Sequence, residues 1–381
     1  MFDQRSIFCI IPPHMLYEIA RRGSPAQRYM AMQTIIASEQ IRGRRRAMRE
    51  ITAFMPAVAA GAKQRTVYDA KQGSTLPGVV VRNEGDPPTS DVSVNEAYDG
   101  SGITYDLYFN IYSRDSINNN GMKLDSTVHY QKGYDNAFWD GKQMVYGDGD
   151  EDLPTSERLF NRFTISLDVI GHELTHGITQ YEANLAYLSQ PGALNESFSD
   201  VFGSLVKQYQ RQQTADQADW IIGEGLFTSN VNGVGLRSMK APGTAYDDPV
   251  LGKDPQPAHM KDYVTTIEDN GGVHINSGIP NHAFYLAAME IGGYTWEKAG
   301  RIWYKALTDK LKTSSNFQEA ANLIYETAGE LYGVDSPEQN AVKNGWAGVG
   351  ITVPGGSTNG GCLLTALRKL GLIPPVKVVR E

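Results

Sequence analysis

The chain has 381 residues, 41% of them hydrophobic and 20% charged, with a formal net charge of −8, so it is long enough to bury two or more cores with a cleft between them. Its only cysteines, Cys9 and Cys362, lie far apart in sequence and exclude a disulfide framework. No stretch is apolar for long enough to span a membrane, and the string Ile7 to Ile11 is too short for a signal peptide and runs straight into Pro12-Pro13.

Residues 1–55 read as a helical, basic leader. Ser24-Pro25-Ala26-Gln27 is a capping-box start with Pro at the first helical position, followed by apolar positions at Met30, Met32, Ile35 and Ile36. Through residue 66 there are eleven Lys plus Arg against four Asp plus Glu, a balance of +7 that leaves −15 for the rest of the chain. A basic leader complements an acidic body. The Arg42, Arg44, Arg45, Arg46 and Arg49 cluster could be read as a nucleic-acid patch, but that acidic remainder argues against it.

Residues 56–180 carry short strings such as Val79-Val80-Val81, Thr104 to Tyr108 and Thr127 to Tyr130 between Gly, Asn and Asp turns. They predict a largely antiparallel β domain that ends in a helix near residue 180. From 181 to 351 the periodicity becomes helical, as in Trp296 to Leu311 and Phe317 to Tyr332, which predicts an α-helical domain. Residues 352–381 form a tail of undetermined role, with a Gly-Gly-Ser-Thr-Asn-Gly-Gly linker and a short apolar run from Leu363 to Leu372.

The chemistry is concentrated in Ile170 to Ile178, I-G-H-E-L-T-H-G-I. On a helix His172 and His176 stand one turn apart and can close on one metal ion, while Glu173 between them can hold a water without ligating. Twenty residues later Glu196 opens a second amphipathic segment and supplies a third ligand. Two imidazoles and one carboxylate with a position left open form the donor set of a catalytic zinc site. Asp200, one turn beyond Glu196, is placed to accept the outer N–H of a ligating imidazole. Further on, Asp269 to Gly278 reads as a glycine-flexed loop holding His274 with a carboxylate five residues before it.

These motifs, together with Asn136-Ala137-Phe138-Trp139, Met144 to Gly149, the run Gly192 to Asp200 and Gly235 to Met239, stand in the order of the thermolysin-like zinc metallopeptidases. The chain resembles that family from about Thr66 to Ile351, and more narrowly its protealysin-like branch with a short propeptide. The resemblance implies an α+β, two-domain metallopeptidase, β-rich before and α-helical after an active-site cleft that holds the zinc helix. It implies a zinc endopeptidase with His172, His176 and Glu196 as ligands, Glu173 as general base, and His274 and Tyr187 on the oxyanion. Asp269 would orient His274, and Asp200 and Asn195 would support the ligands. Asn136, Ala137 and Arg237 would hold the substrate main chain. Phe160, Phe163, Val169, Ile222 and Leu236 would line the pocket for a bulky apolar residue after the scissile bond, although an ordinary core explains most of those five equally well.

Cys9-Ile10-Ile11-Pro12-Pro13-His14-Met15-Leu16 resembles the proline-proline motif of the short propeptides, so the leader is read as an inhibitory prosegment. Its cleavage region is expected within Thr52 to Arg65. Cys9 is read as a small buried residue in preference to a thiolate on the metal. The pattern departs from the family at its calcium sites: Asp168, Asp219 and Glu224 resemble ligands, but Lys207 and Ile221 stand at two other acidic positions, so bound calcium is doubtful and Lys207 is expected to pair with Asp168 or its neighbours. Gln180 replaces another acid, with no consequence assigned. The expected partners are peptide or protein substrates, the chain's own leader, and a proteinaceous inhibitor, with no nucleic acid and no membrane span. The family's habit and the missing signal peptide point to export by a nonclassical route, with a cytoplasmic precursor as the alternative. Two other functions stand beside peptide hydrolysis: a catalytically silent zinc-binding module and a non-peptide amide hydrolase.

Overall fold

The computed structural model describes residues 8–47 and 61–353. The side chains of the Arg42 to Arg49 cluster, most of the expected cleavage region, Cys362 and nearly all of the tail lie outside the described residues. Among the described residues no helix is long and apolar enough to cross a membrane.

A six-stranded sheet organises the amino-terminal half. Its strands are β1 (Phe8–Cys9), β2 (Arg65–Asp69), β3 (Val79–Asn83), β4 (Leu124–Val128), β5 (Ala137–Trp139) and β6 (Met144–Tyr146), in the order β1-β5-β6-β4-β2-β3. The sheet is mixed, because β4 runs parallel to both β2 and β6 while the other pairs are antiparallel. Three of the five pairings are antiparallel as expected, and the two made by β4 are the departure. A correction concerns Thr104 to Tyr108, which belong to the helix α3 (Val92–Tyr112). Asp91 caps that helix by accepting from the amides of Ser93 and Val94, and the buried positions Val94, Ala97, Tyr98, Ser101, Tyr105, Tyr108 and Tyr112 recur every three or four residues. A five-residue window of Thr and Tyr looked strand-like, and only the longer period resolves it.

The leader folds as α1 (Pro13–Arg22) and α2 (Pro25–Ala47), and its first strand β1 adds to the free edge of β5. The capping box is present: the Ser24 amide donates to Gln27 Oε1 at 2.7 Å and the Gln27 amide to Ser24 Oγ at 3.4 Å. The buried face of α2 differs from the expected one. Gln27, Met30, Ala31, Thr34, Ala37 and Ser38 face the body, whereas Met32 and Ile36 are exposed.

Helix α4 (Leu167–Tyr181) lies between the halves and packs against α5 (Ser189–Arg211). Glycine lets them approach: a Cβ on Gly171 would stand 3.1 Å from the Gly203 Cα, and one on Gly203 would overlap the Asp168 carbonyl oxygen. The carboxyl-terminal half is helical, with α6 (Asp269–Asn276), α7 (Gly278–Ile291), α8 (Ala299–Asp309), α9 (Phe317–Tyr332) and α10 (Pro337–Gly348). The architecture is thus the two-part α+β arrangement expected. Ile10, Ile11, Met15, Leu16 and Ile19 of the leader belong to the same buried cluster as Phe160, Phe163, Val169, Ile222 and Leu236 of the body.

Candidate active site

Helix α4 presents His172 and His176 on one face, and α5 brings Glu196 against them from its third turn, seven residues into the helix rather than at its start. The two Nε2 atoms are 2.9 Å apart, and the Glu196 oxygens lie 3.5 Å from each. All three side chains are fully buried, and among the described residues they are the one cluster whose donor atoms could share an ion. The outer nitrogens fix what faces inward. His172 Nδ1 bonds Asp200 Oδ1 at 2.8 Å, and His176 Nδ1 bonds Asn195 Oδ1 at 2.8 Å, so both Nδ1 atoms carry the proton. Two Nε2 lone pairs and a carboxylate then converge with no proton between them, an arrangement that repels unless a cation occupies the centre. The residues therefore fit a zinc ion, and the nitrogen and oxygen donors suit that metal.

Asp200 is itself held in place. Arg237 reaches both of its oxygens at 2.8 Å, and Asn281 Nδ2 donates to Oδ2 at 2.8 Å. Burial pushes its carboxyl up, but the Arg237 guanidinium and the His172 ring outweigh it and keep Asp200 well below the usual carboxylate range. Glu173 accepts from the Trp139 amide of β5 at 3.0 Å through Oε2, and its other oxygen is buried without a hydrogen-bond partner. Burial and the nearby Glu196 carboxylate raise its pKa well above the ordinary value.

His274 sits on α6, not in a loop. Asn270, Gly271 and Gly272 have φ of 51°, 84° and 75°, and this left-handed entry turns Asp269 back onto the helix it opens. Asp269 accepts from the His274 amide at 2.8 Å and bonds its Nδ1 at 2.6 Å. Burial opposes a charged ring, but Asp269 and Glu196 outweigh it and raise His274 to about 9. Tyr187 donates a short hydrogen bond to Glu196 and stands 3.2 Å from His274 Nε2.

The leader lies in this site in extended form. The Cys9 carbonyl accepts from His274 Nε2 at 3.0 Å, and the Ile10 carbonyl accepts from Arg237 at 3.2 Å. In turn the Ile10 amide donates to the Ala137 carbonyl at 3.2 Å and the Ile11 amide to Asn136 Oδ1 at 3.0 Å. Ile10 and Ile11 are buried, after which Pro12 and Pro13 turn the chain into α1. The Cys9 side chain packs with Ala37, Tyr130, Tyr134, Phe138 and Val145, outside the metal-ligand cluster. Its carbonyl is the atom that meets His274. Strand β7 (Ile221–Ile222) pairs with β8 (Arg237–Ser238) and sets Ile222 beside Arg237.

The family description "Thermolysin metallopeptidase, catalytic domain" matches residues 54–180, and "Thermolysin metallopeptidase, alpha-helical domain" matches 183–351. The chain belongs to the thermolysin-like zinc metallopeptidases. An extracellular metalloprotease of Pectobacterium carotovorum subsp. carotovorum is 49% identical over 92% of this chain and 98% of its own length. Protease PrtS of Photorhabdus sp. (strain Az29) is 46% identical over 90% and 92%. Among solved structures, the precursor of protealysin from Serratia proteamaculans superposes with a TM-score of 0.81 at 51% identity, covering 91% of this chain and all of that one. This thermolysin-like chain is a zinc metalloendopeptidase.

Sequence reasoning missed several groups that act here. Asn281 on Asp200 and the Trp139 amide on Glu173 carry no spacing signal, because tertiary packing alone brings them in, whereas Ser199 Oγ, 3.0 Å from His176 Nδ1, lies one helical turn after Asn195 on α5. Away from the site, Lys207 Nζ lies 2.8 Å from both Asp168 and Asp219 and donates to the Ile221 carbonyl at 2.6 Å.

Proposed function

We propose that the enzyme is made as a zymogen and cuts peptide bonds on the amino side of bulky apolar residues. The observation that carries this reading is the leader itself, with the carbonyls of Cys9 and Ile10 on His274 and Arg237 and its amides on Ala137 and Asn136. An extended peptide added to the edge of β5 is held by its main chain, which leaves side-chain choice to the pockets. Phe160, Phe163, Val169, Ile222 and Leu236, in one apolar cluster with Ile10, favour a large apolar residue after the bond.

Zinc held by His172, His176 and Glu196 would supply Lewis acidity and bring the pKa of water down toward about 7. Glu173, whose second oxygen has no hydrogen-bond partner, takes the proton of the attacking water and delivers it to the departing amine. His274 and Tyr187 donate to the carbonyl oxygen as it gains charge, at roughly 3 kcal/mol per donor. Asp269 aims His274, while Asp200 and Asn195 fix the ligand tautomers. In this reading residues 1–55 are the inhibitory propeptide, 56–180 and 181–351 the two catalytic domains, and 352–381 an appendage. Lys207 stands in for calcium among Asp168, Asp219 and Glu224. An extracellular site of action accords with the extracellular relative.

The test is Glu173→Gln. The variant is expected to bind zinc at full stoichiometry and to lose turnover, and substantial peptidase activity in the metal-loaded form would refute the role of Glu173. New amino termini on a denatured protein digest should be Leu, Ile, Phe, Val or Met, and a set without that bias would refute the specificity.

A further inference from the structure

The leader engages the cleft through few residues. Its main chain is gripped from Cys9 to Ile11, Ile10 and Ile11 are 0% and 1% exposed, and Pro12-Pro13 then leads the chain away. What the leader offers the cleft is an extended pair of aliphatic residues followed by two prolines, whose fixed φ limits the conformations open to the exit. Three Pro-Pro pairs occur in the chain. Pro87-Pro88 follows Gly85-Asp86, but Pro374-Pro375 follows Leu372-Ile373. The carboxyl-terminal tail thus repeats Ile10-Ile11-Pro12-Pro13 as Leu372-Ile373-Pro374-Pro375, with Gly371 at the place of Cys9.

We propose that this tail segment is a second occupant of the same cleft, entering when the leader has left, with Leu372 where Ile10 lies and Ile373 where Ile11 lies. The inference rests on the reading of the leader as a cleft occupant. Length permits it. Val353, the last described residue, is buried, and eighteen residues lie between it and Leu372. Extended, those residues reach about 60 Å, which matches the diameter of about 50–60 Å of a globular chain of this size. Chemistry ranks the two occupants. Gly371 has no side chain to fill the Tyr130, Tyr134 and Phe138 cluster that receives Cys9. Lys377 falls where Met15 is fully buried, so the tail copies the four residues that enter the cleft and not the helix that follows. The leader therefore wins while it is attached, and the tail becomes a weak, self-limiting competitor of substrate afterwards. Hydrolysis in the same register would add water across Gly371–Leu372, leaving a carboxylate on Gly371 and an amine on Leu372.

The experiment uses the zinc-loaded enzyme after natural loss of its leader, with a short reporter peptide as substrate. Mass spectrometry first defines the carboxyl terminus. A chain ending at Gly371 supports the proposal, because only the stated register yields it, and removal of the tail at any bond upstream of Gly371 overturns it. Where the tail is intact, a Leu372→Asp/Ile373→Asp variant is compared with the parent. A segment of millimolar affinity at a millimolar effective concentration occupies the cleft about half of the time, so the variant should be at least about twofold faster at low substrate with kcat unchanged. A synthetic peptide of residues 368–380 should then inhibit that variant competitively, and the same peptide with Ile373→Asp should be at least about tenfold weaker, as the loss of one buried aliphatic side chain requires. Equal rates, or equal inhibition by both peptides, overturn the proposal. A leader peptide of residues 7–16 serves as the control. If it inhibits and the tail peptide does not, this inference fails and the proposed function stands. If neither inhibits, the leader's role as cleft occupant fails first.

Discussion

Acid should loosen the leader through one residue. His14, in the first turn of α1, is hydrogen-bonded to the Tyr246 hydroxyl at 3.1 Å through Nε2, while its Nδ1 is buried without a hydrogen-bond partner. Burial is the main influence on its pKa, which Arg237 and His274 lower further and Asp269 and Glu18 partly restore, bringing it down to about 4. A leader swung free would return the ring to its ordinary value near 6.5. Since the docked pKa is the lower one, docking is favoured while the ring is neutral and weakens as pH falls from 6.5 toward 4. Between pH 7.5 and pH 5 the ratio of docked to undocked leader should drop about 30-fold, or about 2 kcal/mol. Hydrogen exchange at the Ile10 and Ile11 amides reads this directly, because both are bonded to the body only when the leader is docked. Corrected for intrinsic exchange, their protection should fall by about that factor in the parent chain and stay level in His14→Gln. The same pH dependence in both proteins would refute the reasoning.

Three further outcomes follow from other groups. Lys207→Ala leaves the buried Asp168 carboxylate facing two further acids, and unfolding should come about 3 kcal/mol more easily; calcium should not raise the melting temperature of the parent, and a rise would contradict the substitution of ion by ammonium. His129 bridges Asp148 and Asp91, and its hydrogen bond to Asp148, against the cost of burial, raises its pKa to about 9. Because that value is raised, the bridge stabilises fully below 6.5 and is lost as pH rises through 9. Unfolding midpoints of the parent should converge on those of His129→Gln over that window, and parallel curves would contradict it. Tyr187→Phe should lower kcat on the order of 100-fold with little change in KM, and an unchanged kcat would remove Tyr187 from the oxyanion site.

The metal cluster was legible because its ligands are set by spacing. His172 and His176 need one helical turn, and Glu196 lies in a long amphipathic run whose period survives any local ambiguity. The helices of the carboxyl-terminal half were legible for the same reason, down to the limits of Phe317–Tyr332. Legibility failed where a short window or a small residue decides. Thr104 to Tyr108 look strand-like by composition, and packing of α3 on the sheet and on α4 overrides that preference. On α2 the large residues Met32 and Ile36 suggested the wrong face, because close approach selects Ala31, Thr34, Ala37 and Ser38. The Asp135 amide donates to Thr34 Oγ1 at 3.0 Å, and Ser38 Oγ lies 3.2 Å from the Tyr134 hydroxyl. His274 was found as a residue but not as part of a helix, since two adjacent glycines signal a loop unless their positive φ happens to build a turn. The Trp139 amide that braces Glu173 leaves no trace in sequence, because it is a main-chain group brought in by the pairing of β5 and β6.

The decisive measurement is crystallographic anomalous scattering at the zinc edge on the purified chain, with metal content determined on the same sample. One zinc per chain is expected, with its anomalous peak between His172 Nε2, His176 Nε2 and the Glu196 carboxylate, and Glu196→Gln should reduce the content sharply. A chain that hydrolyses peptides with no zinc bound, or with its only zinc elsewhere, would contradict the account.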